Sequence, residues 1–443
     1  MAEKSQAVAT IEAVWRMEAA RVVATLARYT GDLGLAEELA QDALVAALEQ
    51  WPAEGVPARP GGWLTAVGKR RAVDYFRRAE TLRRKVGELG RELEMDGQGY
   101  EIDLDALDSD AAIDDDLLRL VFTACHPVLS AEARVALTLR VLGGLSTPEI
   151  ARAFLISEST AAQRIVRAKR TLADAGIVFE APDGAERRRR LESVLEVVYL
   201  IFNEGYAATA GDDWLRPGLC EEALRLGRVL VGLMPDEPEV HALVALMEIQ
   251  DSRRHARTDP DGEPVLLLDQ DRAKWDWSQI ERGLKALARA DEAFAARADG
   301  DTRSGDRPTE PGAYHLQAAL AACHARARNA EATDWRLIAD LYDRLVQQTR
   351  SPVVELNRAV AVGMAEGPAA GLEVTDALVG LRAMQGYHLL PSVRGDLLVR
   401  LGRHTEARSE FERAAELTAN TRERALLLAR AAACDASAAE SES

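Results

Sequence analysis

The stretch from Leu145 to Leu172, LSTPEIARAFLISESTAAQRIVRAKRTL, constrains this chain more than any other. Ser146-Thr147-Pro148-Glu149 has the form of a capping box with proline just inside a helix start. A short helix is expected there, with Ile150, Ala151 and Phe154 on its apolar face. Leu155-Ile156 makes a turn, and Ser157 is placed to cap a second helix. In that helix Ala161, Ile165, Ala168 and Leu172 recur at helical spacing and predict a buried stripe. Thr160, Gln163, Arg164 and Arg167 share a neighbouring face, with Lys169 and Arg170 at its flank. Two short helices, a tight turn and a polar, basic second helix predict a helix-turn-helix that enters the major groove. The plainer alternative is an amphipathic helical hairpin with a solvated basic face.

Around this stretch the composition predicts an all-α protein of several domains: 443 residues, rich in Ala, Leu, Arg and Glu, with only 5% aromatics. Cys125, Cys220, Cys323 and Cys434 lie far apart without a C-x-x-C pair, so neither a disulfide framework nor a zinc site is expected. Cys125-His126-Pro127 offers two isolated ligand types, and His126 is expected to cap or pack at a helix end. With no phosphate-binding glycine loop, nucleophile elbow or metal cluster, no cofactor, metal or catalytic site is expected and the chain is read as no enzyme. The N-terminus lacks an apolar signal core and no run approaches a membrane span, so a soluble, intracellular protein without membrane association is expected.

The formal net charge of −17 is unusual for a DNA-binding chain, and its distribution matters. Residues 117–174 hold eight Lys and Arg against four Asp and Glu, whereas residues 96–116 hold nine acids and no base. The basic footprint is thus local, and weak DNA binding by the free protein is expected because phosphate neutralisation supplies most non-specific affinity.

Upstream, residues 10–82 predict a compact helical domain. Val14, Trp15, Val22, Val23 and Leu26 give the first helix its apolar face, and Gly31-Asp32 breaks it. A second helix is expected from Ala36 to Trp51, ended by Trp51-Pro52, with Leu39, Ala43, Ala47 and Leu48 inward and Glu37, Glu38, Gln41 and Asp42 exposed. After a proline- and glycine-rich loop, a third helix from Gly62 to about Arg84 carries Trp63, Leu64, Val67 and Val73 inward and a row of Lys and Arg outside. Residues 83–116 form an acidic linker, either a solvated tether or a nucleic-acid mimic that threads a cationic channel.

LAEELAQDALVAALEQW, then PGGWLTAVGKRRAVDYFRR, then the helix-turn-helix resembles, in that order and spacing, a bacterial extracytoplasmic-function (group IV) sigma factor. The resemblance covers roughly residues 10–175, with region 2 at 10–82 and region 4 at 117–178. It implies a protein that brings core RNA polymerase to promoter DNA. Glu38, Gln41 and Asp42 would dock on the clamp helices of the β′ subunit. Trp63 and the basic helix with Lys69, Arg70, Arg71, Arg77 and Arg78 would bind and melt the −10 element. The loop from Pro52 to Gly62 would hold a flipped base. Ser159, Thr160, Gln163, Arg164, Arg167, Lys169 and Arg170 would meet the −35 element. Arg70 stands where that family usually has asparagine, which favours a phosphate contact over a base contact.

Beyond Gly176 the chain reads as helix after helix, a regulatory extension over 186–435 with a disordered tail at 436–443. Gly395, Leu398, Ala407, Phe411 and Ala414 fit the tetratricopeptide pattern, Ala370, Val374 and Ala377 repeat part of it, and Ala223 with Pro235 keeps its spacing. A helical-repeat solenoid binding a protein or small-molecule ligand is therefore expected. The extension resembles that of a tetratricopeptide-bearing subgroup of the same family, whose most recognisable strings fall at Asn203-Glu204-Gly205-Tyr206 and at Gln270 to Asp276. Asn203, Glu204, Tyr206, Asp271, Arg272 and Trp275 are the candidate contacts there, either toward the sigma domains or lining a ligand groove. Trp275 and Trp277 in the core, with Asp271-Arg272 as an ion pair, is the structural alternative. The rival to a sigma factor is a helix-turn-helix transcription regulator with a ligand- or partner-sensing repeat domain.

Overall fold

The computed structural model describes residues 2–89, 110–208, 215–260, 262–300 and 310–441. Among these the chain is all-α, with no β-strand beyond an isolated bridge between Thr258 and Pro264. It divides into two compact units, residues 1–198 and 199–443.

In the first unit α1 (Ala2–Thr30), α2 (Leu33–Glu54) and α3 (Pro60–Leu89) pack on one another, and α4 (Asp110–Ala124) lies against α1. Ile11, Val14, Trp15, Val22, Val23 and Leu26 are buried, as the sequence predicts for α1. Asp32 caps α2 by accepting from the amides of Gly34 and Leu35. The inner face of α2 is drawn by Ala36, Ala40, Ala43 and Ala47, which are fully buried, so its neighbours approach closely.

Several local expectations differ. Leu48 is exposed, because Ala46 and Ala47 take the inward positions. Pro52 does not end α2: it lies in the last turn, where its missing N–H forfeits one hydrogen bond, and Gly55 at φ +86° closes the helix. Val73 is exposed on α3 instead of buried. The expected linker is helical at both ends, through Leu89 and from Asp110. Its acidic residues Asp103, Asp105 and Asp108 lie outside the described residues.

The helix-turn-helix is formed by α5 (Ala131–Val141), α6 (Thr147–Ala153) and α7 (Glu158–Asp174). The first unit also includes the start of α8 (Gly184–Tyr206): Arg190 Nη2 donates to the Phe122 carbonyl at 2.9 Å, and Ser193 Oγ to that of Cys125 at 2.6 Å. His126 Nδ1 accepts from the Val128 amide, so this histidine holds a turn. All four cysteines are buried and free.

The second unit continues with α9 (Pro217–Leu233), α10 (Pro238–Asp251), α11 (Trp277–Gly300), α12 (Ala313–Arg326), α13 (Trp335–Thr349), α14 (Pro352–Ala365), α15 (Pro368–Val379), α16 (Leu389–Arg400), α17 (His404–Leu417) and α18 (Thr421–Ser441). Helix α10 is buried along almost its whole length, between α9, α11 and α12; from α12 onward each helix packs on the next. This is the nearest-neighbour stacking of a repeat array. Gly395 is its clearest signature, since a Cβ there would stand 2.6 Å from Cε1 of Phe411. The second copy of the pattern is one residue out of the expected register. Gly371, Thr375 and Leu378 are buried in place of Ala370, Val374 and Ala377, because the contact with Gly363 and the Ala359 carbonyl tolerates no side chain at 371. Helix α18 runs to Ser441, so the expected disordered tail is helical over 436–441. The Gly-, Asp-, Arg- and Pro-rich stretch at 298–312 reads in sequence as an exposed loop; residues 301–309 of it lie outside the described residues, and 298–300 end α11.

Gly395→Ala should destabilise the full chain by about 1–3 kcal/mol through overpacking against Phe411. Gly386→Ala, where the added methyl meets nothing, should stay within about 0.5 kcal/mol. Urea unfolding followed by circular dichroism compares them, and equal effects would remove Gly395 from its packing role.

Candidate nucleic-acid interface

The helix pair α6–α7 is set by local chemistry. Ser146 Oγ accepts from the Glu149 amide while Glu149 Oε2 accepts from the Ser146 amide at 2.8 Å, a complete capping box. The tight turn forces Leu155, a non-glycine residue, to φ +48°, and the Ile156 amide reaches back to the Ala151 carbonyl at 3.0 Å. Ser157 then caps α7 by accepting from the Thr160 amide. Ala161, Ile165, Ala168 and Leu172 are the four buried residues of α7. Ser159, Gln163, Arg167 and Arg170 are exposed, and Thr160 and Arg164 are half-buried. The predicted reading face is therefore presented to solvent with one exception, Lys169.

In the helical domain, Glu38 and Asp42 are exposed and Gln41 is half-buried. Asp42 accepts from Arg71 Nη1 at 3.0 Å, which joins a predicted polymerase contact to a predicted DNA contact. Both line a groove of about 560 Å³ between α2 and α3, together with Glu38, Trp63, Arg70 and Arg78. Trp63 is half-buried and packs edge-on against Trp51 at 5.2 Å. A second cavity of about 700 Å³ opens at the start of α3, bordered by Arg21, Arg59, Gly61, Gly62, Lys69 and Arg70. The end of the predicted base-holding loop thus forms one of its walls. Arg77 is exposed and lines neither cavity.

Glu37 corrects the sequence reading. Expected on the solvent face, its side chain is only 7% exposed and is enclosed by two cations from the helix-turn-helix. Arg140 Nη2 lies 2.7 Å from Oε1, and Lys169 Nζ lies 2.5 Å from Oε2. Burial pushes the Glu37 carboxyl up, but Arg140 and Lys169 outweigh it and hold it below its ordinary value. Lys169, expected to face DNA, is thereby turned toward α2. Two further ion pairs tie α1 to the elements that follow: Arg16 with Glu149 of α6 at 2.6 Å, and Arg28 with Asp116 of α4 at 2.9 Å. One signal could have found Glu37, namely its position between Ala36 and Ala40 on the margin of the alanine face.

In the second unit, Glu204 pairs with Arg216, Tyr206 lies under the Arg257 guanidinium at 3.5 Å, and Asn203 is exposed. Asp271 caps its own turn by accepting from the Ala273 amide and does not pair with Arg272. Arg272 instead donates to the carbonyls of His324 and Ala327, both at 2.6 Å, and its guanidinium sits 4.6 Å from the Trp275 ring. Trp275 is buried, but Trp277 is half exposed, against the alternative that put both in the core. The sequence reading missed Arg253, whose Nη2 donates to the Tyr206 hydroxyl at 2.8 Å. It also missed His324. Among the described residues no group of three or more His, Cys, Asp or Glu could hold a metal, and no helix is long and apolar enough to cross a membrane.

Comparison with known proteins matches three segments to family profiles. Residues 14–81 match Sigma-70 region 2, residues 119–172 match Sigma-70, region 4, and residues 190–291 match a family of unknown function (DUF6596). An uncharacterized protein of Rhizobium meliloti (strain 1021) is 44% identical over 408 residues, covering 92% of each chain. A protein named "Probable ECF RNA polymerase sigma factor SigI" from Mycobacterium tuberculosis is 28% identical over 228 residues, 50% of this chain and 73% of that one. No solved structure matches.

Glu37→Gln should loosen the first unit by about 3 kcal/mol, because it strips the countercharge from two largely buried cations. Hydrogen exchange of α5 and α7 measures this. Since the folded-state value of Glu37 is depressed, its contribution is complete above the ordinary carboxylate value and is lost as the pH falls through the depressed one. The variant and the parent should therefore converge in acid; a constant difference at all pH would place the effect in packing.

Proposed function

This chain belongs to the extracytoplasmic-function sigma-70 family, and we propose that the free protein is a closed sigma factor, opened when it engages core polymerase. Sigma factors of this family bind core RNA polymerase and promoter DNA, and the polymerase performs the chemistry. The match of residues 14–81 to region 2 sets aside the rival reading of a ligand-sensing regulator, which has no need of that domain.

The Glu37–Lys169 contact carries the proposal. Promoter elements at −10 and −35 lie about 25 base pairs apart, or about 85 Å of duplex at about 3.4 Å per pair. A residue of the −35 helix bonded to the helix next to the −10 face cannot span that distance. Opening must break the Glu37 triad and the two ion pairs that flank it. The docking face of Glu38, Gln41 and Asp42 begins one residue from Glu37, so the β′ clamp helices would meet the latch itself. Once open, Trp63, Lys69, Arg70, Arg71, Arg77 and Arg78 serve the −10 element, and the cavity at Gly61 and Gly62 receives a flipped base. Gln163, Arg164 and Arg167, with Ser159, Thr160 and Arg170, serve the −35 element, where each good base pairing contributes about 1–3 kcal/mol. Lys169 joins them when Glu37 releases it. The C-terminal unit controls this opening; what supports that role is the family match over 190–291, which begins inside α8, the helix whose start hydrogen-bonds the end of α4.

Two experiments test this reading. Arg164→Ala and Arg167→Ala should each lower promoter-specific transcription by about tenfold in a purified core-polymerase assay with core binding intact; Glu38→Lys with Asp42→Lys should weaken core binding first. Loss of core binding in the arginine variants would reassign α7. The second compares the full chain with one ending at Val198, which keeps the Arg190 and Ser193 contacts. A changed transcript yield would support control by the removed unit, upward if it restrains opening and downward if it assists; equal yields would reject control.

A further inference from the structure

The polar strings around Tyr206 and Arg272 meet a third, Asp251-Ser252-Arg253-Arg254, in a cluster with more cations than carboxylates. The Arg253 guanidinium stands 5.9 Å from the Tyr206 ring and 5.9 Å from the Trp275 ring, while that of Arg272 covers the same indole at 4.6 Å. The charge of Arg253 acts against that of Arg272, and partial burial removes water that would screen them. Two nearby carboxylates are committed elsewhere, and Glu331 attracts Arg272 only from beyond ion-pair distance. Glu204 pairs with Arg216; Asp251 takes Arg254 in a two-pronged pair at 2.9 and 2.8 Å and also accepts from Gln279. Among the described residues neither Arg253 nor Arg272 has a carboxylate within 4.0 Å.

Their hydrogen bonds are also incomplete. Arg253 spends Nη2 on the Tyr206 hydroxyl, and Arg272 spends Nη1 on two carbonyls. Buried Arg253 Nε, Trp275 Nε1, Gln250 Oε1 and His324 Nδ1 have no hydrogen-bond partner among the described residues. Trp275 is only 3% exposed, so this is an unspent donor in the interior, which a folded protein seldom leaves without a use. We propose that this cluster is an oxyanion-binding site in the C-terminal unit, with Arg253 and Arg272 as the paired guanidinium forks and Trp275 and Tyr206 as its aromatic walls. The ligand class is a small molecule presenting a carboxylate or phosphate group, the two oxyanions that guanidinium forks bind. Burial and the two arginines hold the His324 imidazole down to about 4, so this ring is neutral in the empty site. An anion set between the arginines would cancel their field and raise it. The site stands apart from the closed-sigma reading, since its occupancy is measurable without polymerase.

The test is isothermal titration of the full chain with inorganic phosphate and with malonate at constant ionic strength, alongside NMR titration of His324. Saturable binding of either probe is expected, phosphate alone marking a phosphoryl ligand and malonate alone a carboxylate. Affinity should fall at least tenfold in Arg253→Gln and in Arg272→Gln, and the His324 titration should move upward with the bound anion. Lys285→Gln makes the same change in net charge at an exposed Lys285–Glu281 pair and should leave affinity unchanged. If Arg253→Gln does not fold, the more exposed Arg272→Gln decides. No saturable binding of either probe, equal loss in Lys285→Gln, or an unmoved His324 would overturn the proposal.

Discussion

A buried carboxylate governs the arrangement of the first unit. Glu37 lies where two helical domains meet, and its two oxygens are shared between Arg140 and Lys169. Burying one carboxylate and two cations costs several kcal/mol of hydration, which the mutual attraction must offset. Such a triad adds little net stability over an apolar contact of the same size. What it adds is a contact that can be replaced: in the proposed role polymerase or DNA would offer Lys169 another anion, whereas an apolar seam would have to be torn open without compensation.

The helix-turn-helix was legible in the sequence because each of its determinants is local. Ser146, Glu149 and Ser157 act within one turn, and the stripe of Ala161, Ile165, Ala168 and Leu172 follows from helical spacing alone. Glu37 was not legible, because its partners lie 103 and 132 residues away in sequence. An acid in a helix is ordinarily solvated, and only the packing of two domains reverses that. The repeats failed in a subtler way. Reading alanines as the small positions placed the second copy at Ala370, whereas the contact selects Gly371, where any side chain would strike the Ala359 carbonyl at 2.7 Å. A hydrophobicity pattern does not register a position chosen for having no side chain.

The candidate site in the second unit was half legible. Tyr206, Arg272 and Trp275 fall in strings that look unusual for a helical repeat, but Arg253 and His324 sit in ordinary helix-end sequence. Their meeting depends on the ends of α8, α10 and α12 converging with the irregular segment before α11. Asp271 looked like the partner of Arg272 by adjacency. It is instead committed to capping its own turn, and that frees the arginine to reach the end of α12.

Charge bookkeeping unites the two units. In a chain with 72 acids and 55 Lys and Arg, a cation can readily find a carboxylate, and most of the described arginines with buried stems do so. Those that do not are informative. Lys69, Arg70, Arg77 and Arg78 on α3, and Arg164 and Arg167 on α7, make no ion pair among the described residues, which in the proposed role leaves their charge for phosphate. Arg71 and Lys169 are held by Asp42 and Glu37, on the helix proposed to dock on polymerase. Polymerase binding at that helix would therefore release positive charge toward DNA at the moment DNA is needed. In the proposed role, that coupling would let an acidic protein avoid bare duplex when free and yet read a promoter within the holoenzyme.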